Sequence, residues 1–218
     1  MRYNIISTGS KGNAVVINES IMIDAGVPFR KLSEVYRGIK LVLLTHIHGD
    51  HFNKTTIKKL AYERPTLRWG CGEWMVPHLI ETGVQKKNID VMEPDKLYNY
   101  GSFQISPVML THNVPNCGYR IFAEDKKLFY ATDTGNLNGI EAKGYDLYMV
   151  EANHEIDEIL ERIKQKLHDG IYAYEMDAIN NHLSKEKADE FIYSNIGSNG
   201  VYVYMHQHES KDLEVMEG

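Results

Sequence analysis

A mixed α/β fold is what the chain predicts, and three features of its sequence carry the prediction. Short runs rich in Val, Ile, Leu and Tyr recur along all 218 residues. Between them lie longer stretches whose apolar residues repeat at helical spacing. Several of the apolar runs also end on His or Asp, as they would in a sheet whose strand tips build a site in the adjoining loops.

Taken in order, alternation and β-branching predict strands at Tyr3 to Ser7, Ala14 to Ile17 and Ile21 to Ile23. Leu41 to Leu44 is uninterrupted and apolar, as a strand buried on both faces should be. Asn53 is suited to cap a helix running through Thr55, Ile57 and Leu60, and a second helix covers about Gly72 to Thr82. Strands follow at Phe103 to Leu110, Tyr119 to Ala123, Leu128 to Ala131 and Leu147 to Val150. Glu155 to His168 is the clearest helix: Ile156, Ile159, Leu160, Ile163 and Leu167 trace one face, which we read as core. Ser184 caps a helix through Ala188, Phe191 and Ile192, and Val201 to Met205 forms the last strand. With no repeat, linker or low-complexity tract, residues 1–218 are expected to form a single domain.

Composition narrows the function. The chain is 43% hydrophobic and 25% charged, ordinary for a globular enzyme, and its net charge of −6 is unlike that of a broadly basic nucleic-acid binder. Lys54, Lys58, Lys59, Arg64 and Arg68 nevertheless cluster just after the His-rich segment, as either a solvated helix face or a phosphate track. The N-terminus lacks a signal-peptide core and no apolar run would span a bilayer, so a cytoplasmic protein without membrane contact is expected. Cys71 and Cys117 have no metal-type spacing and read as reduced thiols.

The chemistry concentrates in Thr45-His46-Ile47-His48-Gly49-Asp50-His51, directly after Leu41 to Leu44. Three imidazoles and a carboxylate at the end of a buried strand are costly to desolvate unless something binds them, and a first-row cation accepts these donors. Later strands end similarly: Ile23 before Asp24, Leu110 before Thr111-His112, Thr132 before Asp133, and Met205 before His206.

His46-x-His48-x-Asp50-His51 resembles the signature of the metallo-β-lactamase superfamily. That resemblance implies a four-layer αββα sandwich and two divalent metal ions, zinc foremost with manganese and iron also suited. It further implies that His46, His48 and His112 hold one ion, that Asp50, His51 and His206 hold the other, and that Asp133 bridges them. Asp24 in Ile23-Asp24-Ala25-Gly26 would hydrogen-bond ligand histidines without touching metal. His208, two positions past His206, is the alternative last ligand.

Three further stretches resemble a short bacterial exonuclease group of that superfamily, the YycJ type: the turn Ser7 to Ala14, the segment Val150-Glu151-Ala152-Asn153-His154-Glu155, and Asn181-His182-Leu183-Ser184. The likeness implies a DNA substrate. Asp50 would orient the attacking water, His182 would hydrogen-bond phosphate or protonate the leaving oxygen, and Glu151 and His154 would position or polarise His182. Ile47 and Gly49 stand where that group shows Glu and Ser, and the segment 169–180 looks like an addition whose Tyr172 and Tyr174 would either stack on a base or close a hairpin. Residues 134–205 leave no room for a β-CASP insertion, and residues 113–132 none for the protruding arm of the tRNase Z type. Hydrolysis of a small ester, thioester, lactam or cyclic nucleotide is the alternative reaction, and a regulatory metal-binding protein without turnover the alternative class.

Overall fold

The computed structural model describes residues 1–207. Its first sheet holds strands β1 (Tyr3–Ser7), β2 (Ala14–Ile17), β3 (Ile21–Ile23), β4 (Leu41–Leu44), β5 (Arg68–Cys71) and β6 (Ile89–Val91), side by side in that order. The second holds β7 (Tyr98–Asn99), β8 (Phe103–Leu110), β9 (Asn116–Ala123), β10 (Lys126–Ala131), β11 (Leu147–Glu151) and β12 (Val201–Met205), again in chain order. Both begin as antiparallel hairpins and finish as parallel strands: β3 to β6 in one, β10 to β12 in the other. Helices α1 (Lys54–Glu63), α2 (Val76–Glu81), α3 (Ile156–His168), α4 (Glu175–Asn181) and α5 (Lys185–Asn195) make up the rest of the regular structure.

Strand alternation explains the layering. On β4, Leu41 and Leu43 face the second sheet while Val42 and Leu44 pack with Ile57 and Leu60 of α1. On β10 and β11, Leu128, Tyr130, Leu147 and Met149 turn inward between the sheets, whereas Phe129, Tyr148 and Val150 pack with Ala188 and Ile192 of α5. Three apolar layers therefore separate helix, sheet, sheet and helix, which is the expected αββα sandwich. Asn53 caps α1 by accepting from Thr56 N, and Ser184 caps α5 by accepting from Lys187 N.

Three strands and a helix lie beyond the expected set: β5, β6, β7 and α4. The expected helix over 72–82 divides into a 3₁₀ turn at Glu73–Met75 and the short α2. The apolar stripe of α3 is core only in part. Ile159 and Ile163 are buried in a small cluster with Ala173, while Ile156, Leu160 and Leu167 are exposed, because α3 packs chiefly on α4 instead of on a sheet. Among the described residues no helix is long and apolar enough to cross a membrane.

Candidate metal centre

Every expected donor among the described residues lies at or just beyond the carboxyl end of a strand, or on a loop beside one. Asp24 follows β3, His46 to His51 follow β4, His112 follows β8, Asp133 follows β10, and His206 follows β12. Glu151 is the last residue of β11. His208 lies outside the described residues. Asp24, Asp133 and His206 adopt left-handed backbone, with φ of 59°, 55° and 49°. Such conformations are uncommon away from glycine, and concentrating them at one sheet edge marks a place where side-chain direction outweighs local backbone preference.

Two donor groups hold the expected ligands, and a third, made of Asp133, Glu151, His182 and His206, overlaps the second. His46 Nε2 and His112 Nε2 lie 3.1 and 3.3 Å from His48 Nδ1. Nitrogens on a tetrahedral zinc are separated by about 3.3 Å, given Zn–N bonds of about 2.05 Å, so these spacings suit a shared cation. In the second group, Asp133 Oδ1 is 3.1 Å and Asp50 Oδ2 3.6 Å from His51 Nε2, and His206 Nε2 is 3.5 Å from Asp50 Oδ2. Asp133 Oδ2 also lies 3.9 Å from His46 Nε2, so this carboxylate stands between the groups.

The partners of the other ring nitrogens show how the rings are aimed. His51 Nδ1 donates to Asp24 Oδ2 at 2.7 Å, and His112 Nδ1 donates to the Asn181 carbonyl at 3.0 Å. His206 Nδ1 sits 3.2 Å from Glu151 Oε1. Thr45 Oγ1 gives its proton to Asp24 and so accepts from His46 Nδ1 at 3.0 Å. Four rings thus anchor Nδ1 and direct Nε2 into one space, the outer-shell arrangement that orients metal ligands. Buried Asp24 also accepts from Thr45 N at 2.9 Å, tying β3 to the loop after β4.

Charge supports the same reading. Burial and then the neighbouring His51 push His46 down to about 2, and burial lowers His112. Burial opposes protonation of His206 too, but Asp50 and Glu151 outweigh it and raise this ring to about 10. His51 is raised in the same way by Asp133 and Asp24. His46 and His112 are therefore neutral imidazoles, and the second group calls for positive charge next to its carboxylates. Asp133 Oδ1 is buried with no hydrogen-bond donor in line with it, a costly state that a cation would relieve. The donors fit two divalent ions, with oxygen and nitrogen ligands that suit zinc, manganese or iron.

Beside these groups, His182 Nδ1 donates to Glu151 Oε1 at 2.7 Å, and its ring stacks on His206 with centroids 5.2 Å apart. Glu151 Oε2 accepts from Thr134 N and Leu183 N at 2.9 and 3.1 Å, so one buried carboxylate holds His182, His206 and two loops. Burial disfavours charge on His182, yet the Glu151 hydrogen bond prevails and raises it. His154 makes no direct hydrogen bond to His182 among the described residues: its ring meets Asn153 Oδ1 at 3.4 Å, and its backbone pairs with Ser184.

Four residues of the singled-out segments have roles the sequence does not show: Thr45, Asn13, Asn153, whose Nδ2 donates to the His206 carbonyl at 3.0 Å, and Asn181 through its carbonyl. Asn181, the last residue of α4 and next after the segment 169–180, orients His112. The tyrosines of that segment are exposed and each has a polar neighbour. Lys166 Nζ lies 3.7 Å from the Tyr174 ring centroid, and Tyr172 Oη donates to Asp177 at 2.9 Å. Much of the basic cluster is engaged as well: Lys54 pairs with Glu81, Lys59 with Glu63 and Arg68 with Asp90, and Arg64 donates to the carbonyls of Tyr36, Arg37 and Ile39.

The β-lactamase superfamily domain model matches residues 19–184, and the chain belongs to the metallo-β-lactamase superfamily. Among curated proteins it is 29% identical to ribonuclease Z of Thermosynechococcus vestitus over 103 residues, 40% of this chain but only 24% of that protein. The match thus spans about a quarter of that relative's length. Among solved structures, the metallo-β-lactamase fold protein YhfI from Bacillus subtilis aligns with a TM-score of 0.73 at 16% identity, covering 96% of this chain and 88% of that one. The short form of human tRNase Z aligns at 0.66 and 15% identity over 95% and 93% of the two chains. A diphosphatase of the PhnP family aligns at 0.63 and 12% identity over 94% and 85%. At these identities the structural likeness shows the fold.

Proposed function

We propose that this chain is a dinuclear metal-dependent phosphodiesterase acting on nucleic acid, with a DNA end, as in the YycJ-type exonucleases, the first substrate to test. The observation that carries the reading is the His182–Glu151 pair, 2.7 Å apart, at the rim of the two donor groups. A leaving alkoxide needs a proton, and a histidine whose Nδ1 is fixed on a buried carboxylate keeps its other nitrogen free to give one. The relatives named ribonuclease Z and diphosphatase support phosphoester chemistry.

His46, His48 and His112 would hold one cation, Asp50, His51 and His206 the other, and Asp133 would bridge. Bound there, two cations would acidify a water and polarise a phosphoryl oxygen. Asp50, whose side chain is one-quarter exposed, orients the attacking water and takes its proton as the oxygen–phosphorus bond forms. His182 gives its proton to the ester oxygen as the opposite phosphorus–oxygen bond breaks. Glu151 keeps His182 charged until that moment and fixes its tautomer. The net charge of −6 is partly offset by the two ions.

The test pairs metal analysis of the purified protein with digestion of end-labelled duplex DNA, single-stranded DNA, RNA and bis(p-nitrophenyl) phosphate. Polymer degradation that is lost in His182→Ala while metal content holds supports the reading. Cleavage of the small diester with no polymer degraded overturns it in favour of a small-molecule hydrolase. RNA cleavage without DNA cleavage moves the substrate assignment to RNA.

A further inference from the structure

The Gly/Ser turn between β1 and β2 is more than a hairpin connection. Asn13, at its end, is wholly buried. Its Oδ1 accepts from Gly9 N at 2.8 Å, which fixes the orientation of the amide. Nδ2 then lies 3.1 Å from Gly9 O, 3.2 Å from Asp50 O, 3.4 Å from Asp50 Oδ2 and 2.8 Å from His51 Nε2. Two amide hydrogens face three oxygens, and His51 Nε2 joins them as an acceptor only when unprotonated, so a cation taking the His51 lone pair leaves the hydrogens to Gly9 and Asp50. The Asn13 backbone closes the same contact, donating to Asp50 O at 2.6 Å and accepting from Gly26 N at 2.9 Å.

At the other end of the turn, Thr8 Oγ1 accepts from His206 N at 2.8 Å. His206 is the residue held at a φ of 49°. Thr8 and Asn13 thus reach Asp50, His51 and His206, three members of the second donor group. Neither hydrogen-bonds to His46, His48 or His112 among the described residues.

We propose that Thr8 and Asn13 form a strap that positions the second donor group and governs the uptake of one cation selectively. The idea rests on the dinuclear reading above. Asn13 is a positioning residue here, acting through Asp50 and His51.

The experiment is a stepwise metal titration. Wild type, Asn13→Ala, Thr8→Val and Thr8→Ser are stripped with chelator, and zinc is then titrated in competition with a chromophoric chelator. Cobalt absorption spectra identify which donor set fills. Wild type takes up two ions. Asn13→Ala keeps the first affinity and weakens the second by roughly 10- to 100-fold, the usual consequence of losing a group that orients a ligand. Thr8→Val weakens the second alone, and Thr8→Ser, which retains the acceptor, restores it. Equal weakening of both ions, or of neither, in a folded variant overturns the strap. Should Asn13→Ala fail to fold, the exposed Thr8 pair decides the matter by the same criterion. Wild type that takes up fewer than two ions overturns the dinuclear reading and the strap together, whereas two ions without selectivity overturn the strap alone.

Discussion

Replacing Asp24 by Asn isolates the link between a buried hydrogen bond and the donor properties of a histidine. Asp24 Oδ1 accepts from Thr45 N at 2.9 Å and Oδ2 accepts from His51 Nδ1 at 2.7 Å, both away from solvent. An amide cannot satisfy both. With its oxygen on Thr45 N, its NH₂ faces His51 Nδ1, so the ring must move its proton to Nε2, the nitrogen directed at Asp133 and Asp50. With the amide reversed, NH₂ meets the Thr45 N–H. One buried mismatch costs about 1–3 kcal/mol, which at about 2–4 °C per kcal/mol for a domain of this size lowers Tm by about 2–12 °C. Displacing the His51 proton should weaken the second cation by roughly 10- to 100-fold, equivalent to about 1.4–2.8 kcal/mol. Thermal melts of metal-free protein measure the first effect and competitive zinc titration the second. An unchanged Tm together with unchanged zinc affinity would refute the claim that Asp24 sets the His51 tautomer.

Other expectations follow from the same geometry. Glu151 raises the pKa of His182 against burial, so the charged ring persists above the ordinary histidine range and activity falls as pH rises through the raised value. Glu151→Gln should move the alkaline limb of the rate profile to lower pH, and an unshifted limb would show that His182 is not the proton donor. Gly26→Ala should abolish soluble, metal-competent protein, because a Cβ there overlaps the backbone of Asp50; size-exclusion and metal analysis report it. Chelation should lower Tm, and restoring zinc at 100 times its Kd should return about 2.7 kcal/mol per site in the melt. On α3, Ile163→Ala should cost about 2–4 kcal/mol and Leu160→Gln less than about 0.5, since the first is buried and the second 41% exposed; chemical denaturation distinguishes them.

The sequence announces strands wherever alternation or an unbroken apolar run lasts long enough to count. Leu41 to Leu44 and Phe103 to Leu110 have the bounds expected of them. β5 escapes because Arg68-Trp69-Gly70-Cys71 carries neither alternation nor branching; at Gly70 the ends of the Met92 and Leu43 side chains fill the space of the missing Cβ. β6 and β7, at three and two residues, are shorter than any period can reveal. α4 is seven residues long and packs only Ala178 and Ile179 against α3, too short an apolar face to show a helical period. In the site, the metal-type spacing of His46 to His51 is visible in the chain itself. The double duty of Glu151 is not, because it depends on β11 pairing with β12 so that Glu151 lies opposite Met205, one residue before His206. Asn13 is hidden for a related reason: a Gly/Ser turn reads as a connector until the loop after β4 is folded against it.

Each donor group also recruits from both sheets: His46 and His48 join His112, and Asp50 and His51 join Asp133 and His206. Along the chain, the exposed stretch 93–97 tethers one sheet to the other. A cation at either position would therefore act as a rivet between two slabs that otherwise meet through apolar contact and a few hydrogen bonds, among them Tyr119 Oη to the Leu44 carbonyl and His206 N to Thr8 Oγ1. Cutting the tether would leave two complementary fragments, one holding His46, His48, Asp50 and His51 and the other His112, Asp133 and His206, whose reunion should grow tighter as zinc is added.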